Sequence, residues 1–142
     1  MIYLDTSVLL PLFLREPGSG SVRNWFAALP PHELTVSEWT RTEFVSAIGI
    51  KVRRGGLERS VAQDILRTFE QLADHSLLVL VPGREDFRLS SRYLERFELG
   101  LRAGDALHLA VALNHGAREL CSLDQVLVKS AQRLKIKAQL PV

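Results

Sequence analysis

Ile2-Tyr3-Leu4-Asp5 places three apolar residues in a row near the start of the chain, with no polar residue alternating among them, and ends on an acid. A strand with one face in water alternates apolar and polar residues. A strand covered on both faces does not, and such strands belong to parallel sheets flanked by helices. Outward from this segment, Leu34-Thr35-Val36, Leu77 to Val81 and Leu120-Cys121 read as further buried strands, and Ile136 to Leu140 as a final edge strand. The stretches between them carry helical spacing. Ser7 to Arg15, interrupted by Pro11, stops at Glu16-Pro17-Gly18, and Ser21 to Leu29 follows. Thr40 to Arg54 closes at Gly55-Gly56, and Leu57, Val61, Ile65, Phe69 and Leu72 mark an amphipathic helix. Arg84 to Phe97, the almost wholly apolar Asp105 to Asn114, and Asp124 to Leu134 complete the series. Strands alternating with helices predict an α/β fold with one parallel sheet of four or five strands and helices on both faces.

A length of 142 residues with 46% hydrophobic composition predicts a single domain, residues 1–142, with a sizeable core, and excludes intrinsic disorder. The net charge of +2 permits an anionic partner without demanding one. One cysteine, Cys121, allows neither an internal disulfide nor a thiolate zinc site. Asp5 and Pro11 interrupt the apolar run from Met1 to Leu14, which therefore does not read as a targeting segment. No other apolar run approaches the roughly 18 residues that span a bilayer. The expected location is the cytoplasm, with no membrane contact.

Most acids sit on polar stretches beside basic residues, but four do not. Asp5 follows the first strand, Glu43 precedes the apolar Phe44-Val45 inside a helix, Asp105 opens the most apolar helix, and Asp124 follows the fourth strand. Groups at the carboxyl ends of parallel strands converge on one crevice, so the four are expected to share a site. Singly, Asp5, Asp105 and Asp124 each have a plainer use as a helix cap, and Glu43 as a partner of Arg41 or Lys51. Together, carboxylates that close repel one another unless a cation sits among them. An all-oxygen site favours Mg²⁺ or Mn²⁺, and the matching chemistry is metal-assisted attack of water on a phosphodiester. Asp5→Asn or Asp105→Asn, each removing one like charge from such a crowded site, should leave the metal-free protein no less stable.

Four segments carry a resemblance that runs the length of the chain. Tyr3-Leu4-Asp5-Thr6-Ser7, Thr42-Glu43-Phe44, Gly104-Asp105-Ala106-Leu107-His108-Leu109-Ala110 and Cys121-Ser122-Leu123-Asp124 resemble the motifs of PIN-domain ribonucleases, and among these the VapC-type toxins of toxin–antitoxin pairs. The third segment is the most specific match. The resemblance implies a Mg²⁺- or Mn²⁺-dependent endoribonuclease acting on RNA, neutralised by a cognate antitoxin and forming a homodimer. Asp5, Asp105 and Asp124 would face the metal, and Glu43 would be a ligand directly or through water. Ser7 and Ser122 would support these groups by hydrogen bonds. The segments depart from the family pattern at Cys121 and Gly104, neither of which removes a carboxylate. Glu38, a nearby acid, is set aside because it falls at the strand-to-helix turn. The alternative is a non-enzymatic module whose acidic pocket takes a basic segment of a partner.

His108, three residues after Asp105, reads as a satisfied core histidine rather than a ligand or base. Arg84, Arg88, Arg92 and Arg96 recur every four residues, as a phosphate-tracking ridge or a solvated face would, and Lys51, Arg53 and Arg54 form a second basic group. The repeat from Leu57 to Leu72, with Trp25 and Trp39, suggests an apolar patch that meets a partner.

Overall fold

The computed structural model describes residues 1–141. Five strands, β1 (Ile2–Leu4), β2 (Leu34–Ser37), β3 (Leu78–Leu80), β4 (Glu119–Cys121) and β5 (Ala138–Gln139), form one parallel sheet in the order β3-β2-β1-β4-β5. Seven helices connect them: α1 (Thr6–Phe13), α2 (Ser19–Ala27), α3 (Glu38–Arg53), α4 (Arg59–Ser76), α5 (Arg84–Leu94), α6 (Ala103–Asn114) and α7 (Gln125–Arg133). The α/β architecture is the one that the unalternating strands predict.

The strand period of two explains the two-layered core. Ile2 and Leu4 face one layer with Val8, Leu9, Phe44, Ile48 and Phe69, while Tyr3 faces the other with Leu109, Ala110, Leu120, Leu127 and Ala131. In the first layer Phe44 stacks on Phe69 with ring centroids 3.9 Å apart, and Phe13 packs edge-on against both. In the second, α6 is buried from Ala106 through Ala112, as its apolar circumference requires. Truncating Phe69 to Ala would cost about 3–5 kcal/mol at such a position.

Three expectations need correction. β3 is an edge strand with Leu78 55% exposed, where the apolar run Leu77 to Val81 predicted a buried one. Only β2 pairs with it, so its outer side has no neighbour. The helix starting at Arg84 ends at Leu94, before Arg96, and Phe97 begins a separate 3-10 turn, Phe97–Leu99. The arginine ridge is thereby cut short, and Arg88 and Arg96 are paired with Glu85 and Glu98. The expected apolar patch also breaks up. Phe69 is fully buried, Val61 is 43% exposed, and α4 turns Ala62 and Ala73 inward beside Phe69. Trp25 packs on the first layer and Trp39 on the second, so the two indoles lie against different layers of the core. No helix among the described residues is long and apolar enough to cross a membrane.

The strand order fixes where chemistry can gather. From β1 the chain moves outward through β2 to β3, then returns to the other side of β1 for β4 and β5. The order reverses between β1 and β4, and a crevice opens beyond the carboxyl ends of strands at such a switch point. Asp5 follows β1 and Asp124 follows β4.

Candidate active site

Asp5 stands at the N-cap position of α1 but makes no side-chain cap bond. Its Oδ2 instead accepts hydrogen bonds from Ser7 Oγ and Ser122 Oγ, each at 2.6 Å. Those hydroxyls are oriented from behind: Ser7 Oγ accepts the Leu123 N–H at 2.8 Å and Ser122 Oγ the Asp124 N–H at 2.9 Å. Each hydroxyl is thus left to donate its proton to Asp5.

Glu43 reaches the same point from α3, which is started by a capping box of Ser37 and Thr40. Its Oε2 accepts from Thr6 Oγ1 at 2.7 Å and lies 2.6 Å from His108 Nε2. The plainer partners for Glu43 are engaged elsewhere, Arg41 with Asp74 and Glu70, and Lys51 with Glu16. Glu38, exposed at the first turn of α3, faces Arg41 and does not line the pocket.

His108 joins these two acids. It is fully buried; Nε2 lies 3.2 Å from Asp5 Oδ1 as well as facing Glu43, and Nδ1 lies 2.9 Å from Tyr3 Oη. Nε2 carries a proton, because both atoms that face it are carboxylate oxygens. Burial opposes a charged ring here, but Tyr3, Glu43 and Asp5 outweigh it and hold the imidazole well above its ordinary pKa. Glu43 is the counterpart: burial pushes its carboxyl up, and the bonds from His108 and Thr6 more than reverse that, leaving it below the ordinary value. Tyr3 Oη is bonded in turn to Ser37 Oγ at 2.8 Å, so a buried polar chain runs from the α3 cap to the acids. His108 is therefore the satisfied core residue that the sequence suggests, with the added task of fixing two carboxylates.

Asp105 and Asp124 form the opposite wall. Asp124 caps α7, its Oδ1 accepting the N–H groups of Val126 at 2.7 Å and Leu127 at 3.2 Å. Asp105 Oδ2 accepts the Arg102 backbone N–H at 3.2 Å. The Arg102 guanidinium spans both, 3.5 Å from Asp105 and 3.7 Å from Asp124. Both acids thus fill their capping roles and still line the pocket with Asp5 and Glu43, in a cavity of about 510 Å³. Burial raises the Asp105 pKa, Arg102 opposes the shift, and the negative charges of Asp124 and Asp5 add to it.

Gly104 has a role that the sequence does not disclose. A Cβ there would lie 2.6 Å from Glu43 Oε1 and 3.2 Å from the Trp39 ring. The motif departure is thus a requirement for room, since a side chain at this position would displace the Glu43 carboxylate. Thr6, Tyr3 and Arg102 join the site as well. Thr6 and Tyr3 stand in the same motif segment as Asp5, whereas Arg102 lies outside the four segments and carries no local signal.

The donor set fits a hard divalent cation. Asp5, Glu43 and His108 bring ligand atoms within 4.8 Å of one another, but the His108 nitrogen facing the acids is a donor, which leaves carboxylate oxygens as the ligands. The raised pKa of Asp105 comes first from burial and then from the charges of Asp124 and Asp5, and a cation among these carboxylates would oppose both.

A parallel sheet with acids gathered at its switch point defines a small α/β domain with one acidic pocket. The PIN domain pattern matches residues 2–132, and the chain belongs to that family. Ribonuclease VapC46 of Mycobacterium tuberculosis is 30% identical over 138 residues, which cover 94% of this chain and 92% of that protein. The fold is similar to that of VapC20 of Mycobacterium tuberculosis, a sarcin-ricin loop cleaving toxin, with a TM-score of 0.73, 20% identity, and 92% and 95% of the two chains covered. It is also similar to a chain of a toxin–antitoxin complex from Klebsiella pneumoniae, with a TM-score of 0.67, 20% identity, and 100% and 98% covered.

Proposed function

We propose that this protein is a Mg²⁺- or Mn²⁺-dependent endoribonuclease and the toxin of a toxin–antitoxin pair. The observation that carries the proposal is the convergence of Asp5, Glu43, Asp105 and Asp124 on one pocket, in a chain of the PIN family 30% identical to a VapC ribonuclease. Asp5, Asp105, Asp124 and Glu43 would hold the cation. The chemistry a divalent cation supplies at such a site is neutralisation of phosphate charge and a lowered pKa for the attacking water. Ser7 and Ser122 hold the Asp5 carboxylate in one orientation, and Thr6 and His108 hold Glu43. With its proton on Nε2 directed at two carboxylates, His108 positions them and abstracts no proton from substrate. Arg102, already close to Asp105 and Asp124, is the pocket's own group for contacting a phosphate.

The antitoxin partner is proposed by analogy with the toxin–antitoxin complex of similar fold, and the homodimer and cytoplasmic location from the family. Growth and RNA integrity should be followed in cells expressing this chain alone and in cells expressing Asp5→Asn. Arrested growth with fragmented RNA only for the natural sequence supports the proposal. Unaltered RNA in both would reject it.

A further inference from the structure

The acidic pocket does not by itself attract a polyanion. Its one cationic lining residue, Arg102, is shared by Asp105 and Asp124. The net charge of +2 supplies no strong general field. Along the expected arginine ridge, Arg88 and Arg96 are paired with acids. Cations outside the pocket must hold the strand.

A second cavity of about 570 Å³ lies along α7 and is lined by Leu99, Val126, Lys129, Ser130, Gln132 and Arg133. Its residues follow closely in the chain on those of the acidic pocket: Val126 donates its N–H to Asp124 Oδ1, and Leu99 stands three residues before Arg102. Lys129 and Arg133 lie one turn apart on α7 and are exposed; neither is within ion-pair distance of an acid among the described residues, although Arg133 lies close enough to Glu98, the partner of Arg96, to help hold its carboxyl below the ordinary value. Phe97, in the same 3-10 turn as Leu99, is 89% exposed, the most of any large hydrophobic residue among those described. That turn is fastened to α7 by Ser130 Oγ donating to the Leu99 carbonyl at 2.9 Å and by Arg133 Nη1 donating to the Glu98 carbonyl at 3.3 Å. An exposed aromatic residue on a turn that is bonded to α7, together with two exposed cations of that helix, has the composition of a single-stranded nucleic-acid platform.

We propose that Phe97, Lys129 and Arg133 form a subsite for the single-stranded RNA that flanks the cleaved bond, with Phe97 stacking on a base and the two cations taking phosphates. This subsite rests on the ribonuclease assignment above. It places the strand over the Gly100–Arg102 segment.

The test measures binding of a fluorescein-labelled single-stranded RNA of about 12 nucleotides to the Asp5→Asn protein, alone and with added substitutions, across a salt series. Cleavage by the otherwise natural chain and its light-scattering mass are followed in parallel. Lys129→Ala with Arg133→Ala should reduce the slope of log affinity against log salt by about 1.4, from about 0.7 per lost phosphate contact. Phe97→Ala should weaken binding about tenfold with the slope unchanged, and Phe97→Tyr should restore it. If the natural chain cleaves RNA while none of these substitutions changes slope or affinity, the subsite is overturned and the ribonuclease assignment stands. If the binding effects occur but no RNA is cleaved, Phe97, Lys129 and Arg133 bind single-stranded RNA, but the ribonuclease assignment fails and with it the place of this surface beside a cleaved bond. A fall in molecular mass for Phe97→Ala with RNA affinity unchanged would assign this surface to a second copy of the chain and overturn the subsite.

Discussion

The two walls of the acidic pocket neutralise their carboxylates in opposite ways. On the inner wall, Asp5 and Glu43 face the imidazole of His108, which is fully buried and fixed from behind by Tyr3. On the outer wall, Asp105 and Asp124 share Arg102, whose side chain is 82% exposed. The consequences differ in sign. Glu43 lies below the ordinary carboxylate pKa, whereas Asp105 is raised by burial and by neighbouring negative charge. A buried, fully bonded imidazole is part of the fold, while a surface guanidinium contributes at most about 1 kcal/mol and can move aside. One wall is built in advance, and the other stands ready to exchange its counter-charge.

Breaking either wall should have the largest effect on activity. Asp5→Asn and Asp124→Asn are each expected to reduce RNA cleavage by about 10²–10⁴-fold, because residues that act together fail together. Near-natural rates for either in a single-turnover assay would remove that acid from the machinery.

Stability should separate the walls. Glu43→Gln leaves the buried imidazole facing a neutral amide and is expected to cost about 1–2 kcal/mol by urea unfolding of the metal-free protein. Asp105→Asn relieves crowding and should be neutral or stabilising. The expectation from sequence that Asp5→Asn and Asp105→Asn leave the metal-free protein no less stable is thereby kept for Asp105, on the outer wall. Equal losses for both substitutions would show that the walls do not differ.

Gly104→Ala sharpens the contrast further. Alanine favours the helix by up to about 1 kcal/mol, so Tm should not fall. Its Cβ would displace Glu43 Oε1, however, and activity should drop about tenfold. Unchanged activity would mean that the position of Glu43 is not critical.

A carboxylate away from the pocket supplies the smallest effect and a control. Burial opposes the charge of Asp86, but donors from Gly83, Asn114 and His115 outweigh it and hold its pKa below the ordinary value. A lowered folded pKa contributes stability above the unfolded value, near 3.9, and loses it as pH falls through the folded one. Asp86→Asn should thus lower Tm at neutral pH and make little difference near about pH 2. An equal cost at both would assign the loss to packing.

The sequence disclosed what is local. Unalternating Ile2-Tyr3-Leu4 and Leu120-Cys121 are read from their own residues, and Asp5, Asp105 and Asp124 each follow a strand or sit near a helix start, while Glu43 lies inside α3. What stayed hidden depends on pairing across the chain. The apolar run at Leu78 cannot say that β3 has a neighbour on one side only. His108 sits three residues from Asp105, and helical spacing links those two, yet its bonds go to Glu43 and Asp5 on other elements. Nor does Gly104 disclose that Glu43, far away in sequence, needs its empty Cβ position. The arginine ridge failed because a period of four continued on paper past Leu94, where the helix had already ended.

The ends of the RNA products test the central claim most directly. A defined RNA should be incubated with the purified protein and Mn²⁺ or Mg²⁺, with and without EDTA, and both new termini identified. Attack by water on phosphorus, with the ribose 3′-oxygen leaving, predicts 5′-phosphate and 3′-hydroxyl ends, cleavage of a substrate carrying 2′-deoxyribose at the cut, and no product in EDTA. Products ending in a 2′,3′-cyclic phosphate, or cleavage that persists in EDTA, would contradict a metal-dependent site built from Asp5, Glu43, Asp105 and Asp124.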